Sequence, residues 1–234
     1  MSSLVLLHGW GAAGSVWARQ AEYFQERLTV RAPTIQAWEV DWFTEYLGEL
    51  PLQECLLVGW SLGGMLLLAA LSELTPVRPA GLVLAGVAPV FTRRPDHPWG
   101  QPPGVVRAMR RGLKENQQQV LADFADQCLA PEETAFVNQV REAFASQDAA
   151  ATLAAGLDYL LQADLRPRLS CLPAGAVIIQ GQEDRIVDPA QARFLRDQLP
   201  GARLHLLPGA GHLPFLTQPA AFNRILEACL PGEE

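Results

Sequence analysis

The sequence predicts an α/β architecture, a mostly parallel sheet flanked by helices and interrupted by a helical insertion. Three observations predict it. Short, almost continuously apolar runs recur along the chain at Leu4–Leu7, Leu28–Arg31, Cys55–Val58, Gly81–Leu84, Ala176–Ile179 and Leu204–Leu207. Such runs read as strands buried on both faces. Amphipathic stretches separate them, at about Ser15–Arg27, Ala37–Glu49, Leu62–Leu74, Pro189–Leu199 and Pro219–Leu230. Strand–helix alternation implies βαβ crossovers. The alternation stops between about Val90 and Leu169, where the patterns are helical: Arg107–Cys128, Glu132–Ser146 and Ala149–Gln162.

Each strand is bounded by a turn signal. The first ends at His8-Gly9, the second at Ala32-Pro33, the third at Gly59 and the fourth near Gly86. The fifth ends at Gly181 and the sixth at Pro208-Gly209. The insertion begins with a segment rich in Pro and Gly, Pro95 to Gly104, which is expected to be irregular. The division expected is a core of residues 1–89 and 170–234 with a helical cap, or lid, at 90–169.

Composition sets outer limits. The chain has 234 residues, 49% of them hydrophobic, enough to bury a sizeable core without staples. Eighteen Lys and Arg face 25 Asp and Glu, a net charge of −7, which argues against nucleic acid as a partner. Only Lys114 is a lysine, a bias that a high-GC genome explains without any function. The four cysteines, Cys55, Cys128, Cys171 and Cys229, lie far apart and form no C-x-x-C pair. They read as reduced small hydrophobes, in keeping with a cytoplasmic protein, and no metal site is expected. No apolar stretch approaches the ~20 residues of a membrane span. A monomer is the default expectation.

The sharpest chemical signal is Gly59-Trp60-Ser61-Leu62-Gly63-Gly64, between a predicted strand and a predicted helix. G-x-S-x-G in that context is a nucleophile elbow. The turn is so tight that the residues two before and two after the serine must lack side chains. The serine hydroxyl then projects from the sheet edge above a helix N-terminus, which favours developing negative charge. The bland reading is a glycine-rich turn with an incidental serine. Trp60 is expected to pack beneath the elbow.

A serine needs a base, and only four histidines are available. His212 lies in a glycine-flanked loop after the last strand, where a side chain is placed for chemistry. His205 falls within that strand and reads as a packed or edge residue. His97 falls in the irregular leading segment of the insertion, where exposure is expected. The orienting acid is sought after the fifth strand, where Asp184 and Glu183 both stand; Asp188, before Pro189, reads as a helix N-cap. After the first strand, the His8-Gly9-Trp10-Gly11 turn lets a backbone N–H point at a reacting oxygen. The N–H groups of Trp10 and Leu62 would form an oxyanion hole.

With these motifs in place the chain resembles the α/β hydrolases, whose triad order is Ser…Asp…His. The resemblance selects Asp184 over Glu183 and implies the α/β-hydrolase fold with a helical cap. Within that superfamily, Leu6-Leu7-His8-Gly9-Trp10-Gly11, the elbow, Gly156-Leu157-Asp158-Tyr159-Leu160…Asp164-Leu165-Arg166 and His212-Leu213-Pro214-Phe215 with Pro219 resemble the pimeloyl-acyl-carrier-protein methyl ester carboxylesterases of biotin synthesis. That resemblance implies Ser61 as nucleophile, His212 as base and Asp184 as orienting acid. It implies no cofactor and an acyl-carrier protein as substrate carrier. Candidate substrate contacts are Trp10, Phe124 and Leu213. Candidate carrier-docking residues are Arg93, Arg94, Arg107, Arg110 and Arg111, beside Lys114 and with only Asp96 and Glu115 near them in sequence. A basic patch on an acidic body suits an acidic carrier; the alternative is a solvated helix face.

Two departures accompany the resemblance. Relatives usually have a hairpin before the first parallel strand, which here starts at Leu4. They also carry a D-x-P-G-x-G-x-S loop after the second parallel strand, where this chain has Arg31-Ala32-Pro33-Thr34-Ile35-Gln36-Ala37. Competing functions are a general short-chain carboxylesterase or thioesterase, a lyase of the menaquinone pathway, and a catalytically idle binding protein on the same fold. A haloalkane dehalogenase is disfavoured because its nucleophile is Asp.

Overall fold

A computed structural model describes residues 2–74, 78–145 and 148–230. The strands are β1 (Ser3–Leu7), β2 (Thr29–Arg31), β3 (Cys55–Trp60), β4 (Gly81–Ala85), β5 (Val177–Gly181) and β6 (Arg203–Leu207). All pair in parallel, in the order β2-β1-β3-β4-β5-β6. β1, β3 and β5 are buried along their whole length. The expectation of strands buried on both faces is corrected for the two ends of the sheet. β2 and β6 are edge strands with exposed and half-buried residues. His205 sits on β6, half-buried.

The chain leaves β1 for β2 on one side and then crosses to β3 on the other. A crevice therefore opens at the carboxyl ends of β1 and β3, where ligands bind in open parallel sheets. The loops after β1, β3, β5 and β6 all emerge along this edge.

The core helices are α1 (Ala18–Phe24), α2 (Val40–Gly48) and α3 (Ser61–Glu73), with α7 (Pro189–Gln198), α8 (Pro214–Thr217) and α9 (Pro219–Glu227) after the insertion. The predicted helix at Ser15–Arg27 is shorter than expected: Gly14–Trp17 is a 3-10 turn that leads into α1. α3 is buried from Ser61 to Leu71. Its residues are apolar on every side, the composition of a helix enclosed on all faces. Asp188 caps α7, accepting the Ala190 N–H at 2.8 Å, as expected.

Between β4 and β5 lie α4 (Pro103–Gln127), α5 (Val137–Ala143) and α6 (Ala150–Gln162), with 3-10 turns at Pro131–Phe136 and Arg166–Cys171. The expected helix end at Ser146 lies outside the described residues. α4 starts at Pro103, earlier than the pattern suggested, because proline is suited to a first helical turn. It breaks at Asn116, whose φ of −154° is not helical. The two limbs fold against each other: a Cβ added at Gly112 would lie 2.8 Å from Val120. The leading segment is held by two isolated bridges, Thr92–Gln101 and Arg94–His97. His97 is not exposed. It is fully buried, with Nε2 2.8 Å from Gln191 Oε1 on α7 and rings of Trp99 and Phe194 edge-on to it.

Candidate active site

The elbow owes its shape to steric exclusion. Ser61 has φ of 53°, the one positive φ at a non-glycine residue among those described. Left-handed backbone at such a residue costs about 1–3 kcal/mol and persists only where surroundings impose it. A Cβ on Gly59 would lie 2.5 Å from the Gly64 Cα, and one on Gly63 would lie 2.1 Å from the His8 carbonyl oxygen. Both glycines demanded by the motif are therefore demanded by the packing. Trp60 is buried with its ring against His212, Phe144 and Phe215, and its Nε1–H donates to the His212 carbonyl at 2.9 Å.

The three residues expected to act together do come together. His212 Nε2 lies 3.0 Å from Ser61 Oγ, and His212 Nδ1 lies 2.8 Å from Asp184 Oδ2. With Asp184 as acceptor, the ring proton resides on Nδ1 and Nε2 is free to accept from Ser61. Asp184 is fixed by four donors. Its Oδ1 accepts the N–H groups of Ile186 and Val187, and its Oδ2 accepts from His212 and from Gln180 Nε2 at 2.8 Å. Glu183, the rival acid, is exposed.

Trp10 and Leu62 flank the serine. Leu62 is the second residue of α3, so its N–H lies in the first turn, where helix donors lack intrahelical partners. The Trp10 backbone N–H meets no described acceptor. The Trp10 side chain is buried, donates from Nε1 to the Leu153 carbonyl of α6 at 2.8 Å and packs edge-on to Phe124. Gly156 permits the close approach of α6, because a Cβ there would lie 2.7 Å from Trp10 and 3.1 Å from Leu62.

The remaining candidates separate. Phe124 lines an apolar pocket between the limbs of α4, with Val105, Met109 and Val120. Leu213 has no exposed surface, and as the residue before α8 its carbonyl accepts from Leu216 and Thr217. Arg93, Arg107, Arg111 and Lys114 are exposed. Arg110 is committed to Asp158 on α6 through two bonds of 2.6 and 2.8 Å, and Arg94 donates to the Gln162 and Ala163 carbonyls. The basic cluster is thus smaller than its sequence count.

Four polar side chains hold this edge in roles that the sequence does not show. His8 is buried. Its Nε2 accepts the Ile35 N–H at 2.8 Å, so the proton sits on Nδ1 and is donated to the Gly9 carbonyl. Burial lowers its pKa to about 4. Gln180 holds Asp184, as above. Gln101 donates to the Arg185 and Ile186 carbonyls of the acid's own loop. Glu133 reaches the loop of His212. A Gln at a strand end and a Glu in a helical stretch carry no local signal of burial.

Residues 4–225 match the alpha/beta hydrolase family. Among curated proteins, the pimeloyl-[acyl-carrier protein] methyl ester esterase of Aromatoleum aromaticum is 32% identical, with 98% of each chain covered. The protein of the same name from Nitrosomonas europaea is 31% identical over 96% of this chain and 94% of its own. Among solved structures, an esterase from Exiguobacterium antarcticum aligns with a TM-score of 0.85 at 22% identity, covering 97% of this chain and 91% of that one. A bromoperoxidase from Bacillus anthracis aligns with a TM-score of 0.86 at 23% identity, covering 97% and 91%. The parallel sheet, the glycine-framed elbow and a family match across nearly the whole chain lead to one assignment: this chain belongs to the alpha/beta hydrolase family.

Proposed function

We propose that the protein is a serine esterase that hydrolyses the methyl ester of a pimeloyl-acyl-carrier protein. The observation that carries the esterase reading is the Ser61–His212–Asp184 relay, with both hydrogen bonds at 3.0 Å or less. The choice of substrate rests on the name shared by the two curated relatives.

In this reading Ser61 Oγ attacks the ester carbonyl and gives its proton to His212 Nε2. The tetrahedral oxyanion accepts from the N–H groups of Trp10 and Leu62. Such donors are worth about 10²–10³ in rate each. His212 returns the proton to the departing methoxide, which leaves as methanol. Water, deprotonated by the same nitrogen, then attacks the acyl-enzyme and frees the carboxylate and Ser61. Asp184 keeps the imidazole in the required tautomer and stabilises its protonated form. Residues 90–169 would act as the cap over this site. The exposed Arg93, Arg107 and Arg111 would steer an acidic carrier towards it.

Two assays test the proposal. Hydrolysis of p-nitrophenyl butyrate should depend on Ser61, with Ser61→Ala reducing it to background; turnover that survives this change sinks the serine mechanism. Methyl pimeloyl-carrier substrate should be preferred over the free methyl ester. Reversing the charge of Arg93, Arg107 and Arg111 together should slow only the carrier-linked substrate. Equal loss on both substrates refutes the docking role.

A further inference from the structure

Glu133 is a buried carboxylate outside the relay, in the 3-10 turn that precedes α5. Its Oε2 accepts two backbone N–H groups: that of Ala130, three residues back, at 2.8 Å, and that of Gly211 at 3.0 Å. Its Oε1 is buried and meets no described partner. The first bond is a local helix cap. The second joins residues 78 apart and ends on the neighbour of His212.

The loop that carries His212 is Pro208-Gly209-Ala210-Gly211, a sequence with little conformational preference of its own, and Gly209 sits at φ of 70°. Something else must fix it. Two adjacent N–H groups of the loop are taken by the insertion: Gly211 by the Glu133 carboxylate, and His212 by the Cys128 carbonyl at 2.7 Å. The far side is held by Trp60 on the His212 carbonyl. The contact is close enough that a Cβ on Gly211 would lie 2.4 Å from the Cys128 oxygen and 2.8 Å from Glu133 Oε2.

We propose that Glu133 is a positioning residue for His212, acting through the Gly211 N–H to set the imidazole against Ser61. The inference rests on the role proposed above for His212. A base whose ring departs from its hydrogen-bonded place loses rate steeply, since displacement by about 1 Å can cost 10²-fold. Substrate binding does not pass through this contact, so the effect falls on kcat.

The test uses the full chain and p-nitrophenyl butyrate, with far-UV circular dichroism and thermal melting on each variant. Glu133→Ala should lower kcat by about 10–100-fold with KM within about threefold. Glu133→Asp keeps the charge and falls short of Gly211; it should show the same split. Glu133→Gln keeps an acceptor oxygen at full reach and should restore kcat to within about threefold of the parent. A folded Glu133→Ala or Glu133→Asp variant with parental kcat overturns the proposal, and so does a Glu133→Gln variant as slow as the other two. Should these variants not fold, amide exchange in the unaltered protein decides. A Gly211 N–H that exchanges as fast as open-loop amides overturns it, and protection of that N–H supports it. Absence of any Ser61-dependent turnover in the unaltered protein would instead count against the esterase reading.

Discussion

His8 makes stability depend on pH in a calculable way. Folded, its pKa is about 4; unfolded, it returns to the ordinary 6.5. Between these values the unfolded chain binds a proton that the folded chain refuses. Unfolding free energy must therefore rise with pH across this window and fall as acid is added. The contribution is complete above pH 6.5 and fully lost below about pH 4. Integrating the two titrations gives a loss of about 2 kcal/mol on going from about pH 7 to pH 5, of a total near 3 kcal/mol at lower pH. The cause is local. Protonated Nε2 can no longer accept the Ile35 N–H, and the charge would sit in an environment with no exposed surface. Urea unfolding at both pH values measures the loss, and His8→Gln isolates the share due to this residue. The variant should be less stable at pH 7, yet its stability should decline about 2 kcal/mol less towards pH 5. Equal pH slopes for parent and variant would refute the reasoning.

Three other outcomes follow from the same geometry. Gly63→Ala places a methyl group 2.1 Å from the His8 carbonyl oxygen and should cost about 3 kcal/mol or more, read as a fall in the urea midpoint or loss of folded protein. Gln180→Ala removes one donor from Asp184 and should lower kcat by roughly tenfold on a small ester with KM little changed, reflecting a looser acid rather than a damaged pocket. Gly156→Ala should press on the Trp10 ring and, through it, on the N–H proposed for the oxyanion; steady-state kinetics should show a lower kcat in protein that still folds.

Much of this site was legible in the sequence because its constraints are local or ordered along the chain. Gly59 and Gly63 are required by a single turn, and that requirement shows in the residues themselves. Asp184 and His212 follow strands, and the chain order limits where they can stand. What stayed hidden depends on contacts between distant segments. His97 reads as a loop residue until α7 brings Gln191 and Phe194 to it. Arg110 reads as a free cation until α6 supplies Asp158. By contrast, β2 (Thr-Val-Arg) and β6 (Arg-Leu-His-Leu-Leu) carry charged and polar residues that already mark edges, and the order of the sheet puts them there. Leu213 lies beside His212 in sequence yet turns wholly into the core.

The bond from the Trp10 indole to the Leu153 carbonyl constrains how this enzyme can be recombined with its relatives. Swapping the stretch between β4 and β5 for that of another hydrolase is the natural way to exchange substrate preference. Here such a chimera would also discard the acceptor that orients Trp10 and the glycine that lets α6 approach it. The transplant would have to bring a matched residue at position 10, or one acceptor and one glycine in the donor segment. Trp10 and the stretch between β4 and β5 should therefore be exchanged together.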